Sequence, residues 1–381
     1  VMATKINVRS PFFVKVQDDS LASAKMKLYV YSGVKETDKP SEAQYEMVKN
    51  ELISSNYVVF EISELIRDYL DVGFNQERTE DAYIERIEAD GGFFEQNSLL
   101  TDFSLELDGD YSSGSIWVEA DVELYDGEGA GGSLIETQYF DYVALDGYSY
   151  FEDGANSELS RTLLQSNTDI YYLEGETLQV PVFSEEVESV KFYNNGSLHT
   201  TRIINSSENS GSQVVYASTT SATDKIEVIS ASSTETINVY SIQECRYTPH
   251  KVTFINRFGA LQNIYFFKKS SERLRISEET FKPNTFNEFD LRYDLQSHQY
   301  SSFQKMGRES INMNTGFVSE EYNKVMRELM LSERVWCTKD GEILPVNVKS
   351  SSLEYKTSVN DKLINYTVQF DYGFDKINNI R

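Results

Sequence analysis

The side chains able to carry chemistry are few and scattered. Three histidines, His199, His250 and His298, stand far apart with no acid or nucleophile at an informative spacing. Catalysis by histidine needs a positioned base within hydrogen-bond reach of its partner, so none is indicated. Two cysteines, Cys245 and Cys337, form neither a Cys-x-x-Cys pair nor a Cys/His set. That argues against a disulfide framework and against a structural zinc site. No Gly-rich phosphate loop, nucleophile elbow or His-Glu-x-x-His sequence is present. Paired carboxylates could serve glycoside hydrolysis, but among 61 Asp and Glu some pair falls close together in any fold, so proximity carries no information. The sequence predicts a protein that is not an enzyme.

Two Gly/Asp-rich stretches, 108–114 and 126–132, set carboxylates beside glycines, the kind of flexible oxygen-rich loop that Ca²⁺ accepts. Asp108, Asp110 and Asp126 are the candidate ligands. Neither stretch has the spacing or terminal Glu of an EF-hand, and hairpin turns use the same residues for backbone reasons. The turn reading therefore leads, and no cofactor is expected. Of the two tryptophans, Trp117 lies on the polar side of its strand and is the better candidate for a contact surface, although burial under the acidic loops is the leading reading for it. Trp336 is expected to close a core.

The elements that must position these residues are mostly strands. The chain has 381 residues, too many for one core, and is 13% aromatic with 25 Tyr and 22 Phe, so two or three β-rich domains are expected. Residues 1–158 give strand signals at Ile6–Val8, Phe12–Val16, Met26–Tyr31, Tyr57–Ile62, Ser104–Leu107, Ser115–Leu124 and Thr137–Leu145. In the sixth, Ile116, Val118, Ala120, Val122 and Leu124 alternate with Trp117, Glu119, Asp121 and Glu123, the mark of a sandwich strand with one wet face. A short helix is expected from Ser63, with Ser63 as its cap. The acidic stretch 71–100 reads as a surface excursion.

Residues 167–245 carry seven short strand signals, with a tight turn at Asn194-Asn195-Gly196, and suit a small immunoglobulin-like sandwich. Residues 246–381 read as an α+β module. Its amphipathic helix runs from an N-cap at Ser319 through Tyr322, Val325, Met326, Leu329 and Met330. The fold class is thus mainly β and multidomain: two sandwich-like domains, then an α+β module with one amphipathic helix. The last strand, Leu363–Phe374, alternates Ile364, Tyr366, Val368, Phe370 and Tyr372 with polar residues and is expected to present an edge to a partner. Those five, with Trp117, Tyr322 and Met326, are the candidate interface residues.

The net charge of −26 is uneven, with 33 acids against 11 bases in residues 1–160. Such a field repels phosphate backbones and anionic membranes, so nucleic acid is not an expected partner. No stretch approaches the length of a membrane span, and residues 1–10 lack a signal-peptide pattern, which predicts synthesis in a cytoplasm.

Three segments have a familiar look: Gly316-Phe-Val-Ser-Glu-Glu-Tyr-Asn-Lys-Val-Met-Arg-Glu-Leu-Met-Leu-Ser-Glu-Arg-Val-Trp336, Leu344-Pro-Val-Asn-Val-Lys349 and Leu363-Ile-Asn-Tyr-Thr-Val-Gln-Phe-Asp-Tyr-Gly-Phe374. With Ser10-Pro-Phe-Phe-Val-Lys15 and Glu64-Leu-Ile-Arg-Asp-Tyr-Leu70 near the start, this resembles virion structural proteins of tailed phages infecting Bacteroidetes. The likeness touches both ends of the chain and thins in the middle. It implies a tail, baseplate or connector component, located in the virion, whose partners are other virion proteins and copies of itself. It implies no catalytic site. A receptor- or carbohydrate-binding adhesin is the alternative that the sandwich domains leave open.

Overall fold

The computed structural model describes residues 4–32, 35, 37–52, 55–70, 115–157, 161–184, 187–204, 214–287, 289, 291–350 and 363–377. The fold is mainly β, built from several sheets with two helices among the described residues. The predicted strand Ser104–Leu107 and the excursion 71–100 lie outside the described residues.

The first module holds β1 (Thr4–Asn7), β2 (Phe13–Gln17), β3 (Ser23–Tyr31), β4 (Tyr45–Asn50), β5 (Tyr57–Glu61), the helix α1 (Ser63–Arg67), β6 (Ser115–Gly127) and β7 (Gly131–Leu145). A five-stranded sheet runs β1-β7-β6-β3-β4, with β1 parallel to β7, and the β2–β5 pair covers it. Strand alternation dictates the layers: Ala24, Met26, Leu28 and Val30 of β3 stand opposite Leu124, Val122, Ala120 and Val118 of β6. These meet Val14, Val16, Val58, Phe60 and, from α1, Ile66 in one buried cluster. Ser63 does not cap α1. Its hydroxyl donates to Glu61 instead, and the helix starts with no side-chain cap.

The second module holds β8 (Asp169–Leu173), β9 (Leu178–Phe183), β10 (Val187–Asn194), β11 (Ser197–Ile203), β12 (Val214–Thr219), β13 (Lys225–Ser230) and β14 (Thr234–Ile242). Five strands run β11-β10-β13-β14-β8 and β9 pairs with β12. Asn195 and Gly196 both take left-handed backbone, at φ 51° and 74°, which is the geometry that joins β10 tightly to β11.

The third module holds β15 (His250–Ile255), β16 (Leu261–Phe266), β17 (Lys268–Phe281), β18 (Phe286–Asn287), β19 (Arg292–Tyr293), β20 (Ser301–Asn314), β21 (Val318–Ser319), the helix α2 (Tyr322–Leu331), β22 (Val335–Lys339), β23 (Glu342–Val348), β24 (Leu363–Ile364) and β25 (Thr367–Asp375). Its antiparallel sheet runs β16-β15-β22-β23-β25-β20-β17. The expected terminal edge strand is therefore corrected in two ways. It breaks into β24 and β25, and β25 is an inner strand paired with β23 on one side and β20 on the other. Having a neighbour on each flank, it satisfies its backbone groups within the chain. The amphipathic helix stands, but Ser319 is not its cap. Ser319 belongs to β21, where its hydroxyl donates to Asp169 at 2.7 Å and its backbone N–H donates to the Tyr171 hydroxyl at 3.0 Å.

The modules meet over apolar surface. The second sandwich and the third module share one apolar cluster, in which Tyr171 meets Tyr322 edge-on at 5.7 Å. A separate cluster draws on all three: Trp117, Val143 and Leu145 from the first, Phe183 and Tyr216 from the second, Ile255, Phe258 and Leu261 from the third. Close backbone approach at this junction depends on glycine. A Cβ on Gly259, at φ 78°, would lie 2.7 Å from the Asp146 nitrogen, and one on Gly147 would lie 2.6 Å from the Arg257 carbonyl oxygen. Gly259→Ala should cost about 2–4 kcal/mol through left-handed strain and overlap. Calorimetry should show its melting split in two, the first module separating from the rest, where the native chain melts in one step.

Candidate functional site

The eight residues nominated from sequence are all buried within the chain. Trp117, 7% exposed, sits in the three-way junction, between Tyr31 on β3 and Val143 on β7 in register. Its side of β6 was expected to face water. The other two modules cover that side at the start of β6, while Glu119, two residues on, is buried by its own module and bonded to Tyr31 and Lys39. Tyr322 and Met326 form the inner face of α2, and Ile364, Tyr366, Val368, Phe370 and Tyr372 fill the core beneath it. They are core residues, not a surface.

Of the candidate Ca²⁺ ligands, Asp108 and Asp110 lie outside the described residues, and Asp126 accepts the Ser133 N–H at 2.6 Å in a turn. Among the described residues no three His, Cys, Asp or Glu gather as metal ligands. The Cys337 thiol is buried, which pushes its pKa up to about 12, while Cys245 is exposed. His250 bonds Ser270 at 3.1 Å, and burial lowers its pKa.

What sequence reasoning missed is an arm. β17 and β20 leave the seven-stranded sheet together as a hairpin whose outer part is exposed on both faces. Of the 23 large apolar side chains exposed among the described residues, ten lie between Leu274 and Phe303. Phe289 is 98% exposed and Leu295 94%. Soluble proteins seldom leave so many apolar side chains together in water unless something covers them.

The arm is held by its own contacts. Phe281 meets Phe303 edge-on at 5.7 Å, Phe286 meets Tyr293 at 5.9 Å, Lys282 lies 4.6 Å from the Tyr300 ring, and Lys305 pairs with Glu278 at 3.2 Å. Asp294 accepts the Gln296 N–H at 3.0 Å at the tip. Two register shifts, near Lys268–Ser271 and near Ser277–Glu279, twist the ribbon, the second beside Gln304 at φ 52°. Charge also distinguishes it: residues 268–308 hold eight Lys and Arg against six Asp and Glu, whereas the rest of the chain holds 27 against 55.

A second polar feature belongs to the frame. Beside the junction, an open cleft of about 420 Å³ is lined by Arg9, Arg67, Asp68, Asp146, Glu333 and Arg334. Glu333 takes both Arg9, at 3.1 Å, and Arg67, at 2.7 Å, so these charges fasten the first module to the third. Nearby, Glu328 of α2 is 1% exposed and accepts the Ser166 hydroxyl. Burial raises its pKa above the ordinary carboxylate range, outweighing the Ser166 bond and the pull of Arg257.

No protein-family model matches the chain, and no curated protein matches it. No helix among the described residues is long and apolar enough to cross a membrane.

Glu328 yields a pH test. Its folded pKa is raised, so between the ordinary value and the raised one the folded state holds a proton that the unfolded state does not. Stability from this group is thus present at low pH and lost as pH rises through the raised value. Glu328→Gln should remove that loss, gaining about 1–2 kcal/mol at neutral pH and little at pH near 4. Denaturant melts of both proteins across that range would measure the gap.

Proposed function

We propose that this chain is a non-enzymatic structural protein of a phage virion, a tail, baseplate or connector component that assembles by seating its 268–308 arm on a neighbouring protein. The observation that carries the assembly role is the arm itself: a two-stranded ribbon wet on both faces and studded with Leu274, Ile276, Phe289, Leu291 and Leu295. Such surface gains from burial, at roughly 25 cal/mol per Å² of apolar area. Among the described residues its strand β17 has β20 on one side and no strand on the other, an edge ready for pairing with another chain. The virion setting rests on the sequence resemblance at both ends of the chain.

The test uses the full chain, mixed in turn with itself and with each protein encoded beside its gene. Complex formation is followed by light scattering. Replacing Phe289, Leu291 and Leu295 with Ser should abolish the complex, yet leave the melting temperature within about 2 °C, because exposed side chains contribute little to folding. A complex that survives the triple substitution, or a native chain that associates with nothing, would overturn the assembly role.

A further inference from the structure

Resting on that reading, we infer that the arm's neighbour is a second copy of this chain, the two β17 edges pairing antiparallel about a twofold axis at Ser277. The residues of the edge support one register. In β17, Arg273, Arg275 and Glu279 share a face, because the extra residue of the shift near Ser277–Glu279 lies on β20, between Phe303 and Met306, and β17 keeps its alternation. None of the three makes an ion pair with a described residue. Arg275 stands directly across from Arg308, and Arg308 is held by Asp375 at 3.0 Å. Like charges opposed on adjacent strands are unfavourable, so Arg275 is better placed with an acid on its open flank.

A symmetric antiparallel pair keeps each face of the strand on one face of the joint sheet, so the axis must pass through a residue, not between two. With the axis on Ser277, Arg275 of each copy opposes Glu279 of the other and Arg273 opposes Phe281, while Glu272 is already held by Lys339 of its own chain. Between Arg273 and Phe281 every opposed charge meets an opposite charge or an aromatic ring except Glu278, which meets Ile276. Other registers are poorer. An axis on Leu274 sets Arg273 against Arg275, one on Arg275 sets Glu272 against Glu278, and one on Glu278 sets that carboxylate against itself. An axis on Ile276 retains a single attractive pair, Arg273 with Glu279.

Because residue 282 of one copy lies beside residue 272 of the other, each tip runs back past the base of its partner's arm, where the exposed Phe289, Leu291 and Leu295 find a surface to cover them.

Charge reversal with rescue tests the register on the full chain. Sedimentation velocity at low salt should show the native chain in monomer–dimer exchange, with weaker association in high salt. Arg275→Glu opposes Glu with Glu twice in each dimer, and Glu279→Arg opposes Arg with Arg twice. Each alone should weaken association roughly tenfold or more, and an equimolar mixture should restore it, since both pairs are then attractive again. Both positions are exposed, so folding is expected to be native and is checked by circular dichroism. A dimer indifferent to both reversals, or two weakened variants that do not rescue each other, overturns this pairing. A native chain that stays monomeric but binds a neighbouring protein overturns the pairing alone. One that does neither overturns the assembly role as well.

Discussion

Everything distinctive about this molecule depends on excluding water from the point where its three modules converge. Asn256 is the centre of that point. Its side chain donates to the Leu164 carbonyl at 2.7 Å and to Gln262 at 3.1 Å, and accepts the backbone N–H groups of Phe258 and Ala260. Gln262 passes the network to Asn167 at 2.9 Å, and Leu261 donates its N–H to the buried Tyr216 hydroxyl at 2.8 Å. A fully satisfied polar network inside an apolar cluster tolerates only one arrangement, because any shift strands a donor or acceptor away from water. Apolar area drives the modules together, and the amides set the angle at which they stop.

That junction decides which sheet edge stays free. The seven-stranded sheet turns its β16 edge toward the second sandwich, where Asn263 on β16 donates to Gln179 on β9 at 3.0 Å. β17 begins one residue after β16, at Lys268, whose ammonium pairs with Glu244 at 2.7 Å, so the base of the arm stays beside the second sandwich. From there the ribbon projects, exposed on both faces, and among the described residues its β17 edge has no strand beside it.

The parts legible in the sequence were those with a strong period or turn chemistry. Alternation located β6 and the inner face of β25, helical spacing located α2, and Asn195-Gly196 located a hairpin. That distant modules, not acidic loops, bury Trp117 was not legible, because the polar residues after it on β6 describe the middle of the strand, while its own end is roofed by distant segments. The same blindness made β25 look like an edge: alternation reports which face is dry, never which flank is paired. Ser319 and Ser63 had the right chemistry for caps, yet nearer partners in the fold, Asp169 and Glu61, claimed their hydroxyls. The arm escaped notice for the opposite reason. A ribbon wet on both faces has no hydrophobic period, so Lys268–Phe281 reads as a charged loop with a few stray apolar residues.

The parallel pairing of β1 with β7 has a consequence for how the chain is made. Thr4 finds its place only beside Tyr142, so β1 cannot join its sheet until the last strand of the module has left the ribosome. At ordinary translation speeds that interval is on the order of ten seconds. During it, Ile6 and Val8, both buried in the finished fold, have no sheet to join. The first module is therefore a late-closing unit, and its folding is paced by synthesis of the whole unit, not by local collapse.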